Sequence, residues 1–430
     1  MHLSRNIMKP RASARSTDTR RRDITIANRG APQIVTQRLT APPRNCRGKP
    51  AGRWVATWAG VGLALVAMPV AAQTQAPASV TVVEPGELIQ TAINSSQPGT
   101  HIRVKAGTYA EQLVITKDRI WLDGEAGARL VPPSTLVANG CTGMVVLGRV
   151  ATAPPAHVGI CVIGNVTFGA WNAEFLHKPV TETKRAVTGV TISGLDVEGF
   201  SVGIALAGTP HAIIERTRVV SGGPFAIVTS AAPDSAIRGN TLFNPTDNVA
   251  VIGVCLEGSD RSSLTRNDIS GFINGICLAS SHAVIAGNRL VDNHFGLYID
   301  PGIEDIEVRH NLIDRNNRVE ARAPQLRTGT GIMIEGARDV RAFGNMITNN
   351  TADNLANGIP LGAAGIIVRD SSPTVLASNI SVRFNTITGN GLSADGVVYP
   401  GGSDVINIAT GSSVAIEYNV CGTSRPAALC

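Results

Sequence analysis

Aromatic side chains are scarce in this chain: Phe, Trp and Tyr make up 4% of its 430 residues. An interior built with so few rings has to be closed by Val, Ile, Leu and Ala, which suits a narrow core filled by stacked aliphatic side chains. Cys-x-x-Cys spacings and Cys/His clusters are missing, which argues against a zinc site. Helical periodicity is missing from most of the chain, and so is the L-x-x-L-x-L frame of a leucine-rich repeat. Glycine is plentiful, at 45 residues. What remains is a series of short alternating strands separated by Gly, Asn, Asp and Ser.

Those strands repeat. Seven segments share an Asn followed two residues later by an apolar side chain: GNTL at Asn240, RNDI at Asn267, GNRL at Asn288, HNLI at Asn311, GNMI at Asn345, FNTI at Asn385 and YNVC at Asn419. The intervals are 27, 21, 23, 34, 40 and 34 residues, so a unit near 21 is stretched by insertions. A polar turn and a strand such as GICL, GLYI, GIMI or GIIV follow several of them. Three strands per coil of about 21 to 23 residues fit this pattern, giving an all-β parallel β-helix. Asn suits the bend because it tolerates the left-handed conformation, and its amide both donates and accepts hydrogen bonds. The seven Asn are expected to stack as a ladder along one corner.

The net charge of +6 is misleading. Residues 1–53 hold 13 Lys or Arg and only Asp18 and Asp23 as acids, which leaves 25 basic and 30 acidic residues from 73 onward, a net of about −5. Nucleic acid is therefore not an expected partner. The basic stretch leads into an apolar run, WVATWAGVGLALVAMPVAA, ending in small residues before Gln73. Residues 1–72 thus read as a basic leader with a secretory signal peptide, 73–79 as a linker, and 80–430 as a single domain. The expected product is a monomeric secreted or periplasmic protein with no stable membrane span after signal cleavage.

Cysteine usage agrees with export. Cys46 lies in the leader, and Cys141, Cys161, Cys255, Cys277, Cys421 and Cys430 remain. Proximity favours Cys141 with Cys161 and Cys421 with Cys430. Cys255 and Cys277 stand at equivalent positions in GVCL and GICL, so they should meet on neighbouring coils as a disulfide or as a stack of reduced thiols.

The domain opens with IQTAINSSQPGTHIRVKAGTYAEQLVI, in which Leu88, Ile89, Ala92 and Ile93 form one apolar helical stripe. A short helix here would cap the open end of the solenoid. Residues 80–115 supply this cap and the first coils, and 187–420 the regular coils. Residues 421–430, CGTSRPAALC, supply a C-terminal cap. Residues 132–186 are less regular, and WNAEFLHKPVTETK reads as a loop. The opening segment and the Asn-bearing coils resemble the pectin-lyase-like right-handed parallel β-helix superfamily. The NGC and GIC segments and the closing CGTSRPAALC are similar to a group of exported bacterial β-helix proteins. The resemblance implies a right-handed coil with an N-terminal capping helix. It also admits several activities, from polysaccharide lyases, hydrolases and epimerases to non-catalytic proteins and periplasmic accessories of metal systems.

Alternation places the candidate site. In GICL, Ile276 and Leu278 point inward, so Cys277 and Ala279 point outward. The equivalent outward pairs are Cys255 with Glu257, Tyr298 with Asp300, Met333 with Glu335, and Ile367 with Arg369. Asp300 and Glu335 then lie one rung apart, where two carboxylates repel unless a cation or Arg369 bridges them. A calcium ion held by both would neutralise a uronic-acid carboxylate, with Arg369 binding substrate or acting as base and Tyr298 as acid or sugar platform. The same two carboxylates would also serve a retaining glycoside hydrolase. A charged column on an exposed sheet is equally compatible with a plain solvated face.

The long intervals insert RNNRVEARAPQLRTGTG, NNTADNLANGIPLGAAG and GNGLSADGVVYPGGSDV at one phase of the repeat, beside this column. Arg327 and Tyr399 from these insertions, with Glu257, are candidate substrate-binding residues for a groove that holds an acidic polysaccharide. The expected functions are a polysaccharide lyase or glycoside hydrolase, a non-catalytic carbohydrate-binding surface protein, or a periplasmic accessory protein.

Overall fold

The computed structural model describes residues 79–147, 152–172, 176–246, 252–317, 329–351, 363–391 and 402–430. The leader expected over 1–72 lies outside these residues, as does the linker apart from Ser79. Thr74–Cys430 forms one compact unit. Among the described residues there is one helix, Ile89–Ser95, and none is long and apolar enough to cross a membrane. Three parallel sheets of 12, 11 and 11 strands are visited in rotation, one strand each per coil. Every visit pairs in register with the last, as Thr191 with Ile213, Arg218 with Thr241 and Cys255 with Cys277. The chain is an all-β, three-sheet parallel β-helix, as the repeat implies.

Alternation fills the interior. In the third sheet Val254, Ile276, Leu297, Ile332, Ile366 and Val405 stack in one column. Leu256, Leu278, Ile299, Ile334 and Val368 stack in the next. All of them are fully buried in the core. Burial of each such side chain contributes roughly 1.5–3 kcal/mol, so the coils are held by stacking of like on like.

The corners are made by left-handed residues, but not by the ladder Asn themselves. Gly239, Arg266, Gly287, His310, Gly344, Phe384 and Tyr418, each just before a ladder Asn, carry φ between 50° and 70°. The bend expected of Asn therefore belongs to its predecessor, and the Asn side chain is turned into the coil. There its oxygen accepts both the backbone N–H and the side-chain amide of the Asn one coil back: Asn267 donates to Asn288 Oδ1 at 2.9 and 3.0 Å. The same double bond runs from Asn240 to Asn419. The remaining amide hydrogen reaches a strand carbonyl of the preceding coil, as from Asn267 to Ile237 at 2.9 Å. A second corner holds His211, Asp234, Arg261, His282, Asp305 and Asp339, with φ from 54° to 59°.

A second ladder runs parallel to the first. Asn293, Asn316, Asn350 and Asn390 repeat the double bond from coil to coil and end on the buried Asp404 carboxylate. Its room comes from the glycine that opens each GICL-type strand. A Cβ added at Gly275, Gly296, Gly331 or Gly365 would stand 3.1, 3.1, 3.0 or 2.8 Å from the Nδ2 of the facing Asn.

The helix buries Ile89, Ala92 and Ile93. Leu88, expected in the stripe, is 57% exposed and precedes the first turn. Glu111 accepts the free N–H groups of Ile89 and Gln90 at 2.8 and 3.0 Å. Lys117 Nζ donates to the carbonyls of Ile93, Asn94 and Ser96 at 3.0, 2.6 and 2.7 Å. Opposite charges thus hold the two ends of its dipole. Elsewhere, the expected loop WNAEFLHKPVTETK is only partly irregular, because Val180–Arg185 pairs antiparallel with Asn165–Phe168. The alternation of VTETKR is a strand pattern overlooked beside the longer repeat. Disulfides join Cys141 to Cys161 and Cys421 to Cys430. Between the latter two, Ser424–Arg425 adds a last strand to the third sheet by pairing with Val405 and Ile406.

Candidate functional site

The outer faces of the first two sheets carry rung-to-rung ion pairs, such as Arg238 with Glu215, Arg289 with Asp268 and Arg338 with Glu304. Their arginines are about half exposed, so such pairs are worth little. The outer face of the third sheet is different. Its central column reads Val114, Cys161, Ala205, Val228, Cys255, Cys277, Tyr298, Met333, Ile367 and Ile406. Outward direction does not mean solvent here. Val202, Ala205, Phe225, Val228, Ile252, Cys255 and Cys277 form a second apolar core. Cys141, Met144, Val145, Leu176 and the hairpin residues Val166, Phe168 and Val180 complete that core. The irregular segment thus folds back over the outer face of the first six strands of this sheet, from Val114 to Cys277. Further along, Met333, Ala364, Ile367 and Ile406 form a third cluster, flanked by Phe295 and Tyr298.

One polar unit interrupts this apolar face. The Tyr298 hydroxyl donates to Glu335 Oε2, and Arg369 Nη2 donates to the same oxygen at 2.6 Å. Met333 and Ile367 lie beneath, since Tyr298 pairs with Met333 and Glu335 with Arg369. Phe295 meets the Tyr298 ring edge-on at 5.7 Å. Burial, then the hydrogen bond to Glu335 and its charge, raise the Tyr298 pKa well above the ordinary phenol value. Tyr298 is therefore a donor at neutral pH, not a base. Burial lowers the pKa of Arg369, but the hydrogen bond and charge of Glu335 outweigh it and leave it raised. Arg369 keeps its charge, which leaves it as a cation that binds rather than a base. Its buried Nε has no hydrogen-bond partner.

Of the residues expected to act together, Tyr298, Glu335 and Arg369 meet. Asp300 and Glu335 follow in-register residues of neighbouring rungs, Ile299 and Ile334, and the hydrogen bonds of the two carboxylates go to different partners. Asp300 Oδ2 accepts the Cys277 thiol at 3.4 Å, on the preceding rung. Both carboxylates are nearly enclosed, at 3% and 8% exposure. Among the described residues no three His, Cys, Asp or Glu converge as a metal site. Glu257 lies further back and accepts the Ser230 hydroxyl. Arg327 and Tyr399 lie outside the described residues.

Cys255 and Cys277 are unbonded, with sulfurs 3.1 Å apart. Of the two arrangements open from the sequence, the structure holds the reduced stack. Side chains in register on parallel strands stand about 4.8 Å apart, wider than the Cβ spacing a disulfide prefers. His177, from the covering segment, is fully buried, meets the Phe225 ring edge-on at 6.0 Å and lies close to Cys255. No repeat position marked it, because its contact depends on an irregular segment folding back.

The family model described as the right handed beta helix region matches residues 181–342 and 252–422. Comparison with curated proteins returns no match. Among solved structures, the A-module of a mannuronan C-5 epimerase from Azotobacter vinelandii is 17% identical, with a TM-score of 0.46 over 77% of this chain and 88% of that one. The polygalacturonase of Erwinia carotovora is 13% identical, with a TM-score of 0.47 over 81% and 94%. PfbA, a surface adhesin of Streptococcus pneumoniae, is 11% identical, with a TM-score of 0.40 over 70% and 78%. At such values these likenesses carry no argument about activity.

Proposed function

Since the chain belongs to the right-handed β-helix family, we propose that it is an exported protein that binds an acidic polysaccharide across the outer face of the third sheet. The observation that carries this reading is the Tyr298–Glu335–Arg369 unit set into an apolar strip. A sugar ring needs an apolar surface for its C–H face and fixed polar groups for its substituents. Phe295 and Tyr298, both half-buried, supply the first. Arg369 supplies a cation for a uronic-acid carboxylate, and Glu335 an acceptor for a hydroxyl. The three insertions enter beside this strip, and Arg327 and Tyr399 are proposed to line it. Disulfides at Cys141–Cys161 and Cys421–Cys430 support a secreted or periplasmic location, and the helix Ile89–Ser95 is read as the plug of the first coil.

Binding is favoured over hydrolysis because Asp300 accepts the Cys277 thiol while Glu335 accepts Tyr298 and Arg369. A lyase or epimerase reading keeps one supporting observation: Tyr298 retains its proton beside a cation, as an acid for a sugar leaving group would. Titration of the secreted chain with polygalacturonate, alginate and a neutral glucan tests both. Micromolar binding to a polyuronate that weakens with salt supports the proposal, and new ultraviolet absorbance would add lyase activity. Absence of binding and turnover across the panel would remove it.

A further inference from the structure

Four of the six cysteines beyond residue 53 are bonded in pairs, and the two that are not lie side by side. Cys255 and Cys277 occupy paired positions of neighbouring strands. Their sulfurs are 3.1 Å apart, about 1 Å beyond a covalent S–S bond. A polar group closes each end of the pair: the His177 imidazole near Cys255 and the Asp300 carboxylate at 3.4 Å from the Cys277 sulfur. The exposures are 0% for Cys255 and His177, 4% for Cys277 and 3% for Asp300. An apolar core would be served as well by two alanines, so a buried imidazole and carboxylate flanking two thiols call for a chemical reason.

We infer that Cys255 and Cys277 are a peroxide-oxidisable dithiol, with His177 as its proton donor, that cycles between the reduced pair and a disulfide beneath the covering segment. The adjoining Cys277 lowers the Cys255 pKa against its burial, and His177 lowers it further. Burial lowers the pKa of His177, and Cys255 more than restores it. A Cys255 thiolate with the His177 imidazolium near it is the form that attacks a peroxide. The Cys255 sulfur bonds to one peroxide oxygen, the O–O bond breaks, and the departing hydroxide takes the His177 proton and leaves as water. Cys277 then attacks the sulfenic sulfur. The S–S bond forms, the S–O bond breaks, and hydroxide leaves as a second water with the Cys277 proton. Two thiols and one peroxide give one disulfide and two waters. Enclosure restricts the oxidant to a small neutral one that enters during local openings of the covering segment. The wide spacing of in-register strands strains the product, which favours reversal by thiols.

The test needs no ligand. The purified full chain is treated with hydrogen peroxide, denatured, alkylated and mapped by mass spectrometry. The expected result is loss of both thiols, a Cys255–Cys277 linked peptide and a mass decrease of about 2 Da, reversed by dithiothreitol. In C277S, Cys255 should stop at sulfenic acid and be trapped by dimedone. In H177Q, the same disulfide should form about tenfold more slowly. Full alkylation of both cysteines in the treated wild-type chain, or sulfonic acids without the crosslink, would overturn the inference. An unchanged rate in H177Q would overturn the part given to His177.

Discussion

The carboxylates of Asp300 and Glu335 follow residues that pair in register, Ile299 with Ile334, yet they take different partners: Asp300 accepts the Cys277 thiol at 3.4 Å, and Glu335 accepts the Tyr298 hydroxyl and, at 2.6 Å, Arg369. A parallel sheet brings outward side chains within one rung of two neighbours each. Which neighbour wins is decided by chemistry, and here a cation and a thiol win over a like charge. Glu335 rather than Asp300 is thus the carboxylate that faces the candidate strip.

R369A is expected to weaken polyuronate binding by at least about tenfold, or 1.4 kcal/mol, with little change for a neutral glucan. Isothermal titration on both ligands checks this. R369K should recover only part of the loss, because an ammonium does not reproduce the planar fork. Equal losses on both ligands would show that the side chain shapes the face rather than selects charge.

Tyr298 links stability to alkaline pH. Its pKa is raised in the folded chain, so the folded state holds the proton more tightly than the unfolded state does. The resulting stability is complete below the ordinary phenol value of about 10 and is lost as pH rises from there toward the folded value. The urea midpoint of the native chain should therefore fall more steeply above about pH 10 than that of Y298F. Identical slopes would contradict the hydrogen bond to Glu335.

The first Asn ladder should be costly to break in its middle. N288A removes the acceptor for the Asn267 backbone N–H and side-chain amide, leaving two buried donors unpaired. A loss of at least about 2 kcal/mol is expected, read as a lower urea midpoint with unchanged slope.

G331A tests the second ladder. The added methyl would stand 2.6 Å from the Ile347 Cγ2 and 3.0 Å from the Asn350 amide. Overpacking of this kind costs about 1–3 kcal/mol. A neutral effect would show that the ladder has slack.

Much of this was legible in the residues. The recurrence of Asn240 through Asn419 gave the coil, and alternation around Ile276 and Leu278 gave the direction of every side chain in the third sheet. The second ladder was legible too and was passed over: Asn293, Asn316, Asn350 and Asn390 each follow a first-ladder Asn by five residues. Burial of the outward face was not legible. It depends on Met144, Val145, Phe168 and Leu176 packing in one core with Cys255 and Phe225, a contact between irregular stretches and coils that come later in the chain. No period within either stretch encodes it. Nor does alternation show which way a charged side chain leans once it is outside, as Asp300 demonstrates.

The second ladder has a consequence for how such a chain changes over time. Asn316, Asn350 and Asn390 each stand second in one of the three long inserted stretches, and each is clamped to its neighbours at the point where the chain leaves the regular coil. The coil regains its register at Thr330, Ala364 and Ser403. Whatever lies between can be lengthened, shortened or exchanged as a cassette while the pitch of the scaffold stays fixed, so ligand preference can drift without a new fold having to be found.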